Sequence, residues 1–108
     1  MESLSRVTIA TVDVLRALRA GGPQIWGLQV IKESGRAPGT VYPILERLER
    51  AGWIRSEWED DKARPGPRRR LYEFTAEGAA AAVELLVERD ARQASGKRPD
   101  PQAEGRLA

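Results

Sequence analysis

The spacing of apolar residues changes twice along this chain, and that change constrains the fold more than any other feature. Between residues 7 and 51 apolar side chains recur at every third or fourth position, which indicates amphipathic helices. In residues 53–59 and 70–74 they alternate, as in the strands of a sheet, and after Thr75 the helical spacing returns. The sequence therefore predicts a mainly α fold with one small β-hairpin.

Three helices are predicted before the hairpin, and glycine marks the end of each. They span Val7–Ala20, Ile25–Glu33 and Thr40–Ala51. Gly21, Gly35 and Gly52 follow the three helices directly or within two residues. Glycine readily adopts the left-handed conformation that ends a helix, so these positions favour three separate helices.

The hairpin and a fourth helix follow. The predicted strands are Trp53–Glu59 and Arg70–Phe74, and Pro65-Gly66-Pro67 supplies turn residues between them. Thr75 is a favourable N-cap for a helix that continues to about Gln93. Three helices, a hairpin and a helix form the element order of a winged helix-turn-helix with one C-terminal helix.

This order divides the chain into three parts. Residues 1–75 are predicted to form the winged helix-turn-helix domain, and residues 76–94 a dimerisation helix. Residues 95–108 are too polar to pack and are predicted to be a disordered tail. The length of 108 residues fits one domain with a modest core, which a partner chain would enlarge.

Composition excludes several classes of function. Cysteine and histidine are both absent, which excludes disulfides, thiolate nucleophiles, histidine-dependent triads and the usual zinc sites. Asp60-Asp61 lies on a turn beside arginines, unlike catalytic carboxylates in an apolar site. We therefore expect no enzyme, no metal and no cofactor. No apolar run approaches the ~20 residues of a membrane span, and the first residues lack the features of a secretion signal, so we expect a cytoplasmic protein.

A cluster of positive charges marks the tip of the hairpin. Five basic residues occur within nine positions with no acidic residue between them: Lys62, Arg64, Arg68, Arg69 and Arg70. Arginine and lysine bind phosphate groups, and Gly66-Pro67 beside them allows close approach to a nucleic-acid groove. The alternative is a solvated turn whose arginines pair with Glu57, Glu59, Asp60 or Asp61. The net charge is only +2, so the local clustering and the helix-turn-helix context carry the DNA prediction.

The third helix has the pattern of a recognition helix. Its apolar stripe leaves Thr40 and Tyr42 near the N-terminal end, with Arg47 and Arg50 further along the exposed side. Alternatively, Tyr42 packs at the rim of the core and the arginines pair with Glu46 or Glu49, which we favour for Arg50. The predicted DNA-binding residues are Arg36, Thr40, Tyr42, Pro43, Arg47, Lys62, Arg64, Gly66, Pro67, Arg68, Arg69 and Arg70.

The fourth helix is apolar over a wider arc than packing on one small domain requires. A second copy of the same helix is the simplest partner for the surplus, and the small alanines would allow close approach. The predicted dimer interface comprises Val14, Ala79, Ala82, Val83, Leu86 and Val87. The tryptophans Trp26, Trp53 and Trp58 are assigned to the core more readily than to a stacked ligand.

Three segments resemble the PadR-type transcriptional regulators. Residues 39–54, GTVYPILERLERAGWI, resemble the recognition-helix signature of that family, and residues 66–78, GPRRRLYEFTAEG, resemble its wing motif. Residues 22–28 resemble the segment before the second helix, although Leu28 stands where the family usually has tyrosine. The resemblance covers roughly residues 7 to 90. It aligns Thr40, Tyr42 and Pro43 with the family's recognition helix.

The resemblance implies a bacterial homodimeric DNA-binding repressor, often of genes for detoxification, efflux or stress. Family members typically dimerise through the C-terminal helix, and some release DNA when they bind a small molecule. We therefore expect a nucleoid-associated repressor whose partners are double-stranded DNA at a palindromic operator, a second copy of the chain and a small-molecule effector. Two alternatives are a winged-helix protein-interaction module that does not bind DNA and a ligand sensor.

Overall fold

The computed structural model describes residues 1–60 and 64–96, the last two without their side chains. It contains four helices and three strands in the order that the sequence predicts, with one added strand. These elements are α1 (Ile9–Ala20), β1 (Ile25–Trp26), α2 (Gly27–Ser34), α3 (Pro38–Arg50), β2 (Ile54–Trp58), β3 (Arg70–Phe74) and α4 (Ala76–Gly96). The winged helix-turn-helix prediction is confirmed. We call β2, β3 and the segment between them the wing.

The wing belongs to a three-stranded antiparallel sheet in the order β1-β3-β2. Ile25 lies opposite Tyr72, and Trp26 lies opposite Leu71, so β1 covers the free edge of β3. The prediction that the second helix begins at Ile25 is therefore wrong by two residues. A two-residue strand is too short to show a period in the sequence, and Ile25 is buried in either arrangement.

The helix ends have local causes. The Thr8 hydroxyl accepts a hydrogen bond from the Thr11 amide at 3.1 Å, so α1 begins at Ile9 rather than Val7. Pro38 occupies the first turn of α3, where proline is favoured, and α3 begins there rather than at Thr40. At the start of α4 the Thr75 hydroxyl accepts from the Gly78 amide at 3.0 Å. A Cβ on Gly78 would lie 1.8 Å from the Trp53 carbonyl oxygen, so only glycine fits there.

One apolar core holds all four helices to the sheet. It includes Leu15 of α1, Val30 of α2, Leu45 of α3 and Leu86 of α4. Since α4 contributes to this core, the predicted boundary at residue 75 separates elements that pack as one body. The tail prediction also shifts, because α4 extends to Gly96. Residues 97–108 and Lys62 lie outside the described part of the chain.

The structure corrects three positions of the predicted dimer interface. Val14 and Ala82 are 0% exposed and Leu86 is 3% exposed, because all three pack in the core of a single chain. They therefore offer no surface to a second copy. Among the described helices, none is both long enough and apolar enough to cross a membrane.

Candidate nucleic-acid interface

The exposed side of α3 carries the residues predicted to contact DNA. Tyr42 is 43% exposed, Pro43 and Arg47 are also exposed, and Thr40 is half-buried. The opposite side of the helix is buried in the core. Tyr42 lies on the flank of α3 that faces the wing, and the other three lie on the opposite flank, which faces Thr8 and α1. Arg47 forms no ion pair with any residue in the described ranges. Its charge is therefore available to an external anion.

Two other arginines near α3 are paired within the chain. Arg50 donates to Glu46 at 2.9 Å one turn earlier, which confirms the interpretation of Arg50 as a helix-surface residue. Arg36, predicted to bind DNA, donates to Asp13 of α1 with its Nε 2.9 Å from Oδ2. This ion pair ties the turn between α2 and α3 to α1. No sequence pattern predicts this ion pair, because the two residues are far apart along the chain.

Arginines at the tip of the wing form an ion pair and hydrogen bonds within the wing itself. Arg64 forms an ion pair with Glu59 and donates to the Pro65 carbonyl at 3.1 Å. Arg68 donates to the Glu59 carbonyl from Nε and Nη2, at 3.3 and 3.2 Å. The alternative in which wing arginines pair with the preceding acids is thus realised between Arg64 and Glu59. Arg68 bonds to a backbone oxygen and has no acidic partner among residues 1–60 and 64–96, so its charge is uncompensated within that part of the chain.

The next two wing arginines lie over tryptophan rings. The guanidinium carbon of Arg69 is 4.0 Å from the ring centre of Trp26. That of Arg70 is 5.1 Å from the ring centre of Trp58, and Arg70 Nη2 lies 3.9 Å from Glu49 Oε2. A cation–π contact holds a guanidinium over an aromatic ring while its positive charge is retained.

Sequence reasoning did not find these pairs. It placed all three tryptophans preferentially in the core, which holds only for Trp53, 5% exposed, whose indole donates to the Glu2 carbonyl at 2.7 Å. The missing information was β1, which brings Trp26 beside β3. Trp58, at the end of β2, could have been paired with Arg70 from the hairpin register alone.

A cleft of about 640 Å³ opens between the wing and the N-terminal ends of α2 and α3. We call it the wing cleft. Its lining consists of Trp26, Gly27, Leu28, Tyr42, Trp58, Arg64, Pro65, Gly66, Pro67, Arg68, Arg69, Arg70 and Tyr72. Aromatic rings and arginines dominate, and no aspartate or glutamate belongs to the lining over the described residues. The burial of Tyr72 raises the pKa of its phenol, an effect that the charge of Arg70 partly opposes.

The outward side of α4 remains apolar after the core is formed. Val83 is 40% exposed and Val87 is 63% exposed, while Ala79 is half-buried. Nearby, Arg16 of α1 donates to Asp90 of α4, with Nη2 2.5 Å from Oδ1. This contact lowers the pKa of Asp90. Two exposed valines on one helix face are the part of the predicted dimer surface that stays accessible.

Comparison with known proteins identifies the family. Residues 24–84, which include α2, α3 and the wing, match the family described as "Transcriptional regulator PadR-like family". The chain belongs to this family. A comparison with curated proteins gives no match.

Several solved structures share the fold of this chain. The chain is similar to smu.1704 of Streptococcus mutans UA159 with a TM-score of 0.67 and 22% identity, over 84% of this chain and 88% of that one. BpsR of Bordetella bronchiseptica, whose DNA binding is regulated by 6-hydroxynicotinic acid, gives a TM-score of 0.69 and 23% identity. That match covers 95% of this chain and 71% of BpsR. Apo wild-type MarR of E. coli gives a TM-score of 0.66 and 24% identity, over 94% of this chain and 73% of MarR. The matches show a winged-helix fold.

Proposed function

We propose that this protein is a transcriptional repressor that binds a palindromic operator in duplex DNA as a homodimer. The observation that carries the proposal is the surface formed by α3 and the wing. Tyr42 of α3 and Arg68–Arg70 of the wing line one cleft, and no acidic side chain of the described residues joins them there. A continuous positive surface beside an exposed helix is the electrostatic footprint of a DNA-binding protein.

The surface fits the docking mode of a winged helix-turn-helix. The N-terminal half of α3 enters the major groove, where Thr40, Tyr42 and Pro43 approach base edges and Arg47 approaches phosphate. The wing follows the adjacent backbone, with Arg68, Arg69 and Arg70 on phosphates and Gly66 and Pro67 at its tip. Arg64 and Arg36, which are paired within the chain, support the shape of this surface and contribute less charge.

The second copy of the chain packs against the outward side of α4. Exposed Val83 and Val87, with the small Ala79 beside them, supply the apolar contact that the core leaves unused. A two-fold dimer presents two copies of α3 to half-sites about 10 base pairs apart, or a multiple of that spacing. Such a repressor acts on the cytoplasmic nucleoid, without catalysis, and a small-molecule effector that favours the free protein would release the operator.

The test is the salt dependence of DNA binding. Fluorescence anisotropy with duplex fragments from upstream of the protein's own gene should give binding that weakens steeply as salt rises. Replacing Arg47 or Arg68 by Met should weaken binding and reduce the slope of log K against log [salt] by about one unit each. Arg55→Met is the matched control, because exposed Arg55 pairs with Glu73 and does not line the wing cleft.

The main alternative function is a winged-helix module that binds another protein. In that case the wild type shows no salt-dependent binding to any duplex fragment, and the arginine variants behave like Arg55→Met. A slope that is unchanged in Arg47→Met and Arg68→Met, with operator binding intact, contradicts the proposed phosphate contacts of both arginines and assigns Arg68 to the structure of the wing.

A further inference from the structure

The wing cleft has the dimensions and lining of a small-molecule site. Its volume of about 640 Å³ lies in the range of cavities that hold small ligands and cofactors. Tyr42 and Trp58, which is 53% exposed, present aromatic rings to it from opposite elements, α3 and β2. Exposed aromatic rings on two sides of a cleft suit a flat ring that stacks between or beside them.

The charges of the cleft indicate which chemical group such a ligand carries beside its aromatic ring. Of its four arginines, Arg64 is paired with Glu59, and Arg70 lies near Glu49. Arg68 and Arg69 have no acidic partner within residues 1–60 and 64–96. The Arg69 Nε is also shut off from solvent and has no hydrogen-bond acceptor in that part of the chain. Two uncompensated guanidinium groups favour a ligand that carries about two negative charges.

We propose that the wing cleft binds a nucleotide, meaning an aromatic ring with about two phosphate negative charges beside it. The phosphate, with a charge of about −1.5 to −2 at neutral pH, lies against Arg68 and Arg69, and the ring stacks on Tyr42 and Trp58. A single carboxylate would offset only one of the two arginines. Tyr42 and the wing arginines also belong to the DNA surface of the proposed function, so an occupied cleft competes with the operator. That competition rests on the proposed function.

The nucleotide has two sources. A free mononucleotide carries both negative charges on its phosphate monoester, whereas a nucleotide within DNA lies between two phosphodiesters that carry one charge each. The bound nucleotide is either a free mononucleotide, which makes the cleft an effector site, or one unstacked nucleotide of the bound DNA, which makes the cleft part of operator recognition. The first source requires binding in the absence of DNA. The second requires a base to leave the stack of the duplex when the protein binds.

Nuclear magnetic resonance of the indole N–H groups tests the site directly. Adenosine 5′-monophosphate, added to the full chain without DNA, should shift the signals of Trp26 and Trp58. The signal of Trp53 serves as an internal reference, because its N–H is buried against the Glu2 carbonyl. Adenosine alone and inorganic phosphate alone should each bind at least about tenfold more weakly, since each lacks one half of the interaction.

Two variants separate the ring from the phosphate. Arg69→Met should weaken binding of the monophosphate at least about tenfold and leave adenosine unchanged, because it removes a charge-assisted contact. Trp58→Ala should weaken both, because it removes stacking, and Trp58 is exposed enough to be replaced without opening the core. Arg55→Met should bind all three probes as the wild type does. Circular dichroism confirms that each variant is folded.

The DNA source has its own readout. If the cleft takes a nucleotide of the DNA, the imino-proton resonance of one operator base pair should be lost on binding wild-type protein and kept on binding Trp58→Ala, because the extruded base no longer pairs. The proposal is overturned if neither the free monophosphate nor the duplex gives these signals. It is also overturned if Arg55→Met weakens binding as much as Arg69→Met. Duplex binding with an empty cleft leaves the proposed function standing, and monophosphate binding without duplex binding removes only the competition.

Discussion

The wing and α4 differ in how contacts within the chain affect the residues predicted to meet a partner. In α4, burial of Ala82 and Leu86 in the core removes their surface completely, so only neighbouring valines remain accessible. In the wing, Arg69 and Arg70 rest on tryptophan rings and keep their charge. An apolar side chain covered by the core is not available to an interface, whereas a guanidinium held over an aromatic ring is positioned for one.

This difference separates two uses of the same sequence signal. A wide apolar arc on a helix predicts a partner only for the part that the chain's own core leaves exposed. A cluster of arginines predicts an anion only where acidic partners are missing, as for Arg68 and Arg69 in the described residues. Substitutions in α4 and in the wing should therefore differ in which property they change, the stability of the fold or the binding of a partner.

Leu86→Ala should strongly destabilise the fold, while Val87→Ala one residue further should not. Leu86 is fully packed in the core, and removal of such a side chain costs about 2–5 kcal/mol in the free energy of unfolding. Val87 is exposed in the single chain, so its loss should change the free energy of unfolding of the dissociated chain by less than about 0.5 kcal/mol. Urea unfolding at a protein concentration low enough to dissociate the proposed dimer measures both. Equal losses in the two variants under those conditions would show that Val87 is buried within one chain.

The double substitution Val83→Glu and Val87→Glu should give folded monomers. Both side chains point away from the core, so the charges enter only the proposed contact between copies. Loss of two-site binding should lower operator affinity about a hundredfold, because the second half-site no longer binds at a raised effective concentration. Sedimentation velocity and anisotropy measure the two effects. Glu84→Gln, on an exposed neighbouring position, is the control; a wild type that sediments as a monomer at micromolar concentration contradicts the dimer.

The sequence was sufficient for the helical part of the fold. The period of Val41, Ile44, Leu45 and Leu48 identifies the buried side of α3, because one apolar stripe and one core decide its orientation. Gly35 marks the end of α2 with a φ of 70° in the structure, as the pattern indicated. Local rules succeed here because the determining contacts lie within a few residues.

The sequence was insufficient where distant segments meet. Arg36 pairs with Asp13, and Arg69 lies over Trp26, although neither pair shares a helix or a hairpin. The short strand β1, which brings Trp26 to β3, has no period to detect. Val14, Ala82 and Leu86 are likewise buried in the core. Their burial follows from how α1 and α4 pack against all the other elements, which no local pattern predicts. The clustering of arginines in the sequence thus predicts the candidate site, whereas the contacts within the site follow only from the structure.

Trp26→Leu should weaken DNA binding modestly without unfolding the chain. Leucine keeps an apolar side chain in β1 and removes the ring beneath Arg69, so the guanidinium is less well positioned while its charge stays. A cation–π contact of this kind is worth about 0.5–1 kcal/mol at an exposed site, which predicts about two- to fivefold weaker binding. The salt slope should be unchanged, in contrast to Arg69→Met. A reduced slope in Trp26→Leu would mean that the phosphate contact itself was lost.

The smallest effect is expected from Asp90→Asn, which removes the ion pair between α4 and Arg16 of α1. Hydrogen bonding to Arg16 lowers the pKa of Asp90 below its ordinary value of 3.8 in the folded protein. The pair therefore contributes stability at pH values above 3.8, and this contribution is lost as the pH falls through the lowered pKa. Both side chains are exposed, so salt also screens the attraction.

Urea midpoints of the wild type and Asp90→Asn should accordingly differ slightly at neutral pH and converge as the pH falls through the lowered pKa of Asp90, and in high salt at any pH. The substitution leaves the exposed valines of α4 in place, so the oligomeric state should not change. If Asp90→Asn dissociates the protein into monomers, the ion pair itself belongs to the contact between copies. The accessible part of α4 would then be charged as well as apolar, and in that respect it would resemble the wing.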